Sequence, residues 1–155
     1  MRGKKAPKRK IKADTKFSSI VIAKFINYVM KDGKKSLAKS IVYKSLDIVS
    51  EKTKQDGLSV FNQAMKNVAP SVEVKGKRIG GANYQVPVVV SGERRQVLAF
   101  RWLLEATRAK KGKSMAERLA DELIAAYSNE GDAMKKKANV HKMAESNKAF
   151  AHFAR

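Results

Sequence analysis

From Phe17 through Val21, Phe25, Ile26, Val29 and Met30, apolar residues recur at three-to-four-residue spacing. This predicts a short helix that stops at Asp32-Gly33, where glycine can adopt the left-handed C-terminal cap. Ser36 is expected to cap the next helix, residues 37–52, with Leu37, Ile41, Val42, Leu46 and Val49 on one face. Residues 58–69 repeat the pattern with Phe61, Ala64, Met65 and Val68 until Pro70 ends the run. Three amphipathic helices sharing a core follow from these spacings.

The period then changes. Over residues 72–90, Val72 and Val74 alternate with Glu73 and Lys75, and Tyr84, Val86, Val88 and Val90 alternate with Gln85, Pro87 and Val89, around Gly80-Gly81. That alternation is a β-hairpin. Aligning its apolar faces sets Val72 opposite Val90 and Val74 opposite Val88, with Lys75 and Lys77 on the other face and Pro87 on an edge strand. A lone ribbon needs something packed on it, so its base is expected on the helical body and its tip free. Helical spacing resumes over 92–109, rich in apolar residues and so central, with Trp102 in the core. Ser114 and Glu117 have capping-box spacing and open the next helix, with Met115, Leu119, Ala120, Leu123 and Ile124 on one stripe. Residues 133–148 form a last helix, followed by an aromatic, poorly periodic tail from Phe150. The fold class is mainly α, with a basic N-terminal arm over 1–16 and a single helical domain over 17–155 that includes the hairpin 72–90.

Charge decides what such a body is for. The 155 residues are 43% hydrophobic, enough for one core, but 34 Lys and Arg against 14 Asp and Glu leave a formal charge of +20. That surplus destabilises a compact chain by self-repulsion unless an anion compensates it. The arm concentrates it: Arg2, Lys4, Lys5, Lys8, Arg9, Lys10, Lys12 and Lys16 face one acid, Asp14, and one large aliphatic, Ile11, before Phe17. Such a segment is expected to stay mobile until a polyanion neutralises it. Nucleic acid is the expected partner. No apolar run approaches the ~18 residues of a spanning helix, no secretory or transit leader is evident, and cysteine is absent, so a soluble, cytoplasmic protein with no membrane partner is expected.

Two lysine-rich loops precede helix starts, Lys34-Lys35 and Lys110-Lys111-Gly112-Lys113 before Ser114. Unpaired amides at a helix start favour phosphate, and both loops are candidate clamps, against the plainer reading of solvated charge runs. On the hairpin, Lys75, Lys77, Arg78 and Tyr84 mix charge with an aromatic, which suits backbone contact and base stacking as well as it suits an edge guarded against aggregation. Catalysis has little to work with. Gly112-Lys113-Ser114 lacks the first glycine of a phosphate loop, whose place is taken by Thr107. His141 and His152 lie outside any metal-ligand spacing, and Asp121 and Glu122 point to different faces of a helix. No enzyme, no metal and no cofactor is expected.

The strings DGKKS at 32–36, VEVKGKRIGG at 72–81 with YQVPV at 84–88, RRQVLAFRW at 94–102, KSMAERLADEL at 113–123 and HKMAESNKAFAHF at 141–153 resemble, in order and over nearly the whole chain, the bacterial small-subunit ribosomal protein 7 family (uS7). The resemblance implies a six-helix bundle with a protruding β-hairpin between the third and fourth helices. It also implies a primary binder of 16S rRNA that clamps the 3′ major domain, the head of the small subunit. The family's rRNA contacts would fall on the arm, on Lys34 and Lys35, on Lys75, Lys77 and Arg78, and on Arg94 and Arg95. They would continue at Lys110, Lys113, Ser114 and Met115, and at Lys135, Lys136 and Lys137. Gly80, Gly81, Tyr84, Lys142, Met143 and Asn147 would approach the exit-site tRNA and the mRNA, and neighbouring ribosomal proteins of the head and platform would be partners. A DNA-architectural protein is the alternative, weakened by a hairpin tip that carries glycines rather than an intercalating wedge.

Overall fold

The computed structural model describes residues 3, 6, 7 and 10–154. The contacts expected of Arg2, Lys4, Lys5, Lys8 and Arg9 therefore lie outside the described residues. Among the described residues, six α-helices and one two-stranded sheet follow in the order α1 (Ile20–Val29), α2 (Lys35–Thr53), α3 (Gly57–Val68), β1 (Val72–Ile79), β2 (Ala82–Val89), α4 (Gly92–Ala109), α5 (Met115–Tyr127) and α6 (Asp132–Ser146), with a 3₁₀ helix at Lys148–Ala154. The mainly helical class and the hairpin between the third and fourth helices are as expected.

The first helix is shorter than its periodicity. Phe17 sits in a turn and packs edge-on against Tyr43 at 5.8 Å, while Ser19 Oγ accepts the Ile22 amide and opens α1. At the other end the helix stops at Val29 and not at the glycine. Asp32 and Gly33, both left-handed (φ 51° and 71°), instead form the centre of a tight turn closed by Lys34 N–H donating to the Lys31 carbonyl. That turn delivers the chain directly into α2. Ser36 consequently lies inside the first turn of α2, whose N-cap is Lys34, with no side-chain cap bond.

The core stripe of α2 is Ala38, Val42, Ser45, Leu46 and Val49. Leu37, expected inside, is 56% exposed. The stripe centred on Ala38 and Val42 rotates Leu37 to its flank, and the spacing of Leu37 and Ile41 alone does not reveal this. Asp56 Oδ2 accepts the Ser59 amide at 3.0 Å to cap α3. Gly57 meets α2 so closely that a Cβ there would lie 2.6 Å from the Leu46 carbonyl oxygen. Phe25 of α1 packs 5.2 Å, centroid to centroid, from both Phe61 of α3 and Phe100 of α4. Helix α4 is central as expected: it touches α1, α3, α5 and α6, and Leu98, Ala99, Phe100, Trp102, Leu103, Leu104 and Ala106 are all buried.

The hairpin register differs from expectation by one residue. Val72 pairs with Val89 and Val74 with Pro87, down to Ile79 with Ala82. The reason is the turn: Gly80 and Gly81 both have positive φ (56° and 89°), a two-residue loop that forces their flanking residues opposite each other. Val89 is left 81% exposed while Val86 and Val90 are buried.

Nor is the ribbon free beyond its base. The C-terminal 3₁₀ helix lies along β2, with Tyr84 5.1 Å from Phe150 and 5.7 Å from Phe153, and Lys77 Nζ donates to the Phe153 carbonyl. The tail reads as aperiodic because a 3₁₀ segment lacks the 3.6-residue repeat.

Helix α5 begins with the expected capping box, Ser114 Oγ accepting from Glu117 N and Glu117 Oε2 from Ser114 N. Gly57→Ala tests the closest helix approach. It is expected to lower the unfolding free energy by about 1–3 kcal/mol in urea titrations, because the clash is with backbone that cannot rotate away.

Candidate nucleic-acid interface

The fold brings the first lysine-rich loop beside the end of α4 and the start of α5. The α1–α2 turn and the entry to α5 border a cleft of about 440 Å³ lined by Val29, Lys31, Asp32, Lys34, Leu37, Ala38, Ile41, Arg108, Met115 and Arg118. On the other flank of the same helix start, a groove of about 650 Å³ is lined by Lys10, Lys12, Asp14, Lys35 and Lys39 among others. Lys34 lines the first cleft and Lys35 the second, so the start of α2 stands between the base of the arm and the ends of α4 and α5. Asp14 fastens the arm there. Its buried carboxylate accepts the Lys16 and Phe17 amides and the Tyr43 hydroxyl, the last at 2.7 Å. Burial pushes this carboxyl up, but those bonds and nearby Lys39 outweigh it and hold it below the usual aspartate range. Lys39 Nζ donates to Thr15 Oγ1 and Lys16 pairs with Asp47, both at 2.7 Å.

Several of the acids serve internal geometry. Glu122 is fully buried on α5, where its Oε1 accepts the Ala133 amide at 2.9 Å and starts α6, and its Oε2 pairs with Lys110 Nζ at 2.5 Å. Gly131, left-handed at φ 94°, leaves room for that carboxylate, since a Cβ there would come within 2.9 Å of Oε1. Asp121, one residue away, faces outward to Lys52 (2.7 Å) and Lys113 (2.9 Å). Those two ammonium groups hold its carboxyl below the usual range, and the Lys113 ammonium is in turn held above its own. The separation of Asp121 and Glu122 onto different faces is as expected. Lys110, expected from the sequence to meet phosphate, is directed inward by its partner, whereas exposed Lys113 can exchange Asp121 for another anion.

A second cationic group surrounds the hairpin base and α6. Glu73, expected on an exposed face, is 7% exposed. Arg94 donates to it at 3.0 and 3.2 Å, and Lys75 lies 3.2 Å away. Burial raises this carboxyl, and the Arg94 and Lys75 bonds together overcome that and hold it low. Lys137 Nζ donates to the Asn67 carbonyl at 2.5 Å; burial, then the Arg95 charge, lower its proton affinity. Lys135 pairs with Asp132 and Lys136 with Glu105. Arg78 and Arg95 are exposed. His141 Nε2 accepts the Ser71 amide at 3.4 Å, and burial followed by Lys137 keeps the ring below the usual histidine range, which fits a neutral structural contact.

The residues expected near tRNA and mRNA separate. Gly80 and Gly81 are exposed at the tip, and Lys142 and Met143 are exposed on α6, but Tyr84 is engaged by the C-terminal rings and Asn147 Nδ2 donates to the Met143 carbonyl. Sequence reasoning passed over Lys31, Lys39, Arg108 and Arg118, which line the two clefts. They stand singly within helical patterns, so only tertiary packing gathers them. Among the described residues, no group of His, Asp or Glu could hold a metal ion, and no helix is long and apolar enough to cross a membrane.

Comparison with known proteins is consistent along the chain. Residues 1–148 match the family described as ribosomal protein S7p/S5e. The small ribosomal subunit protein uS7 of Thermotoga maritima is 56% identical over 153 residues, 99% of each chain. That of Chloroflexus aggregans is 55% identical over 148 residues, 96% of this chain and 94% of its own, and that of Afipia carboxidovorans 54% over 148 residues, 96% and 95%.

Two measurements check the electrostatics. Lys110→Met, which strands a buried carboxylate, is expected to lower unfolding free energy by at least about 1–3 kcal/mol, and adding Glu122→Gln to it should return part of that loss in a double-mutant cycle. Asp14, Glu73 and Asp121 all have lowered folded values. Their contribution is therefore complete above the usual carboxylate range and disappears as pH falls through the lowered values. Thermal melts between pH 7 and 3 should show this loss, and Glu73→Gln should reduce its steepness.

Proposed function

Because the chain belongs to the S7p/S5e family of ribosomal proteins and is a protein of the small subunit, we propose that it binds 16S ribosomal RNA directly and organises the 3′ major domain, the head. It is a structural component of a ribonucleoprotein particle in translation and not an enzyme, and the cytoplasmic ribosome is its place. One observation supports the RNA reading: the arm base, the start of α2, the end of α4 and the start of α5 border two clefts in which Lys10, Lys12, Lys31, Lys34, Lys35, Lys39, Arg108 and Arg118 outnumber the lining acids, Asp14 and Asp32.

The physical mechanism is a rigid template. The helical body holds Lys and Arg at fixed separations, and the basic arm, tethered through Asp14 and Lys16, supplies further charge for the phosphates. Duplex RNA hides its base edges in a deep groove, so a folded multi-helix junction supplies the distinctive phosphate spacing that such a template recognises. The exposed Gly80-Gly81 tip and the exposed Lys142 and Met143 are the surfaces we assign to exit-site tRNA and mRNA. Other head and platform proteins complete the surroundings. A duplex-DNA bender is disfavoured because the hairpin tip has no apolar wedge.

Filter binding across a salt series tests the reading with three ligands: a 16S junction fragment, a plain RNA duplex and a DNA duplex. The junction should bind far more tightly, with affinity falling steeply as salt rises. Equal affinity for all three overturns the proposal, and a DNA preference favours the architectural alternative. Deleting residues 1–12 should flatten the salt slope by about 0.7–0.9 for each phosphate that the arm neutralises, with little change in melting, since the Asp14 fastening remains. Lys35→Glu with Lys113→Glu should weaken binding without unfolding.

A further inference from the structure

The cleft between α2 and α5 has a floor that phosphate binding does not explain. Leu37 is 56% exposed there, beside Ile41 and Met115, within a rim of Lys31, Lys34, Arg108 and Arg118 against a single acid, Asp32. Other large apolar side chains are exposed as well, but Leu37 is grouped with Ile41 and Met115 inside a cationic rim, and a purely electrostatic phosphate clamp gains nothing from such an apolar floor.

The two guanidinium groups are held by backbone. Arg108 Nη2 donates to the Val29 carbonyl at 3.4 Å, and Arg118 Nη1 donates to the Lys110 carbonyl. Arg118 Nε is buried with no hydrogen-bond partner. A guanidinium held in this way is oriented, and its planar cation suits contact with a flat partner.

We propose that this cleft receives one unpaired nucleotide of the RNA, its base seated on Leu37, Ile41 and Met115 and its phosphate on Lys31 and Lys34. The inference rests on the RNA reading above and specifies what one part of that interface takes. A nucleotide fits as the occupant because it combines a flat face for the apolar floor with an adjacent negative charge for the cationic rim. A duplex backbone offers no apolar face. Unpaired, unstacked bases are also what proteins read most readily in RNA. The volume, about 440 Å³, lies within the range of small-ligand sites.

Charge and apolar contact make opposite predictions for one substitution. Leu37→Lys adds a positive charge to a rim that phosphate would favour, yet removes the floor on which a base would stack. The half-exposed position tolerates the change, and an unaltered melting profile verifies that. Against the 16S junction fragment at fixed salt, Leu37→Lys should bind at least about fivefold more weakly than wild type, and Leu37→Met, which keeps the floor, should bind within about twofold. Leu37→Gln, neutral and polar, should weaken binding as Leu37→Lys does. If Leu37→Lys binds as tightly as wild type or more tightly, the cleft holds phosphate only and the proposal is overturned. If wild type itself ignores the fragment, the RNA reading fails and this inference with it.

Discussion

A single buried carboxylate fixes the geometry of the basic end. Glu122 sits in the middle of α5, takes the ammonium of Lys110 from the loop after α4, and accepts the first available amide of α6. Three consecutive segments are locked by one side chain, and left-handed Gly131 leaves room for it, since a Cβ there would lie 2.9 Å from the oxygen that accepts the Ala133 amide. A buried ion of this kind is expensive to desolvate: Oε1 is hydrogen-bonded, whereas Oε2 has the Lys110 ammonium 2.5 Å away and no hydrogen bond, so the ion pair carries it. Its cost is offset by register: with Lys110 anchored, the rest of the loop is directed outward, and the capping box places the start of α5 at the edge of the cleft.

The same logic governs the other acids. Asp14 fastens the arm, Asp56 caps α3, Glu73 holds the hairpin base to Arg94 and Lys75, and Asp121 bridges Lys52 and Lys113. A chain with 14 acids and 34 bases could have scattered its acids over the surface to lower its self-repulsion. Several serve instead as structural ligands, so the cationic excess remains largely at the surface. Stability of the isolated protein and readiness to bind a polyanion are therefore set against each other, and the RNA we propose as its partner would relieve the tension by supplying the missing negative charge.

The hairpin shows how a local device overrides a pattern. Alternation of valines favours one register, but a two-glycine turn with both residues left-handed permits only the neighbouring one. The side-chain consequences are large. A one-residue slip exchanges which residues stand opposite each other, leaving Val89 in solvent and Glu73 buried. Tyr84 then meets Phe150 and Phe153, so the C-terminal segment covers a ribbon that two strands alone could not stabilise.

Helix existence, the capping box at Ser114, the central position of α4 and the hairpin were all legible in the sequence, because each depends on spacing within a few residues. The helix ending at Val29, the exposure of Leu37, the hairpin register and the engagement of Tyr84 were not. They depend on which face of each element meets its neighbours and on turn geometry, which periodicity leaves undetermined. For the interface, the sequence by itself determined that lysine-rich loops and a basic arm exist. Only the tertiary structure decided that Lys110 turns inward to Glu122 while Lys34, Lys35, Arg108 and Arg118 gather around two clefts. Charge is a property of composition, but which charges remain available is settled by the partners that packing places within reach.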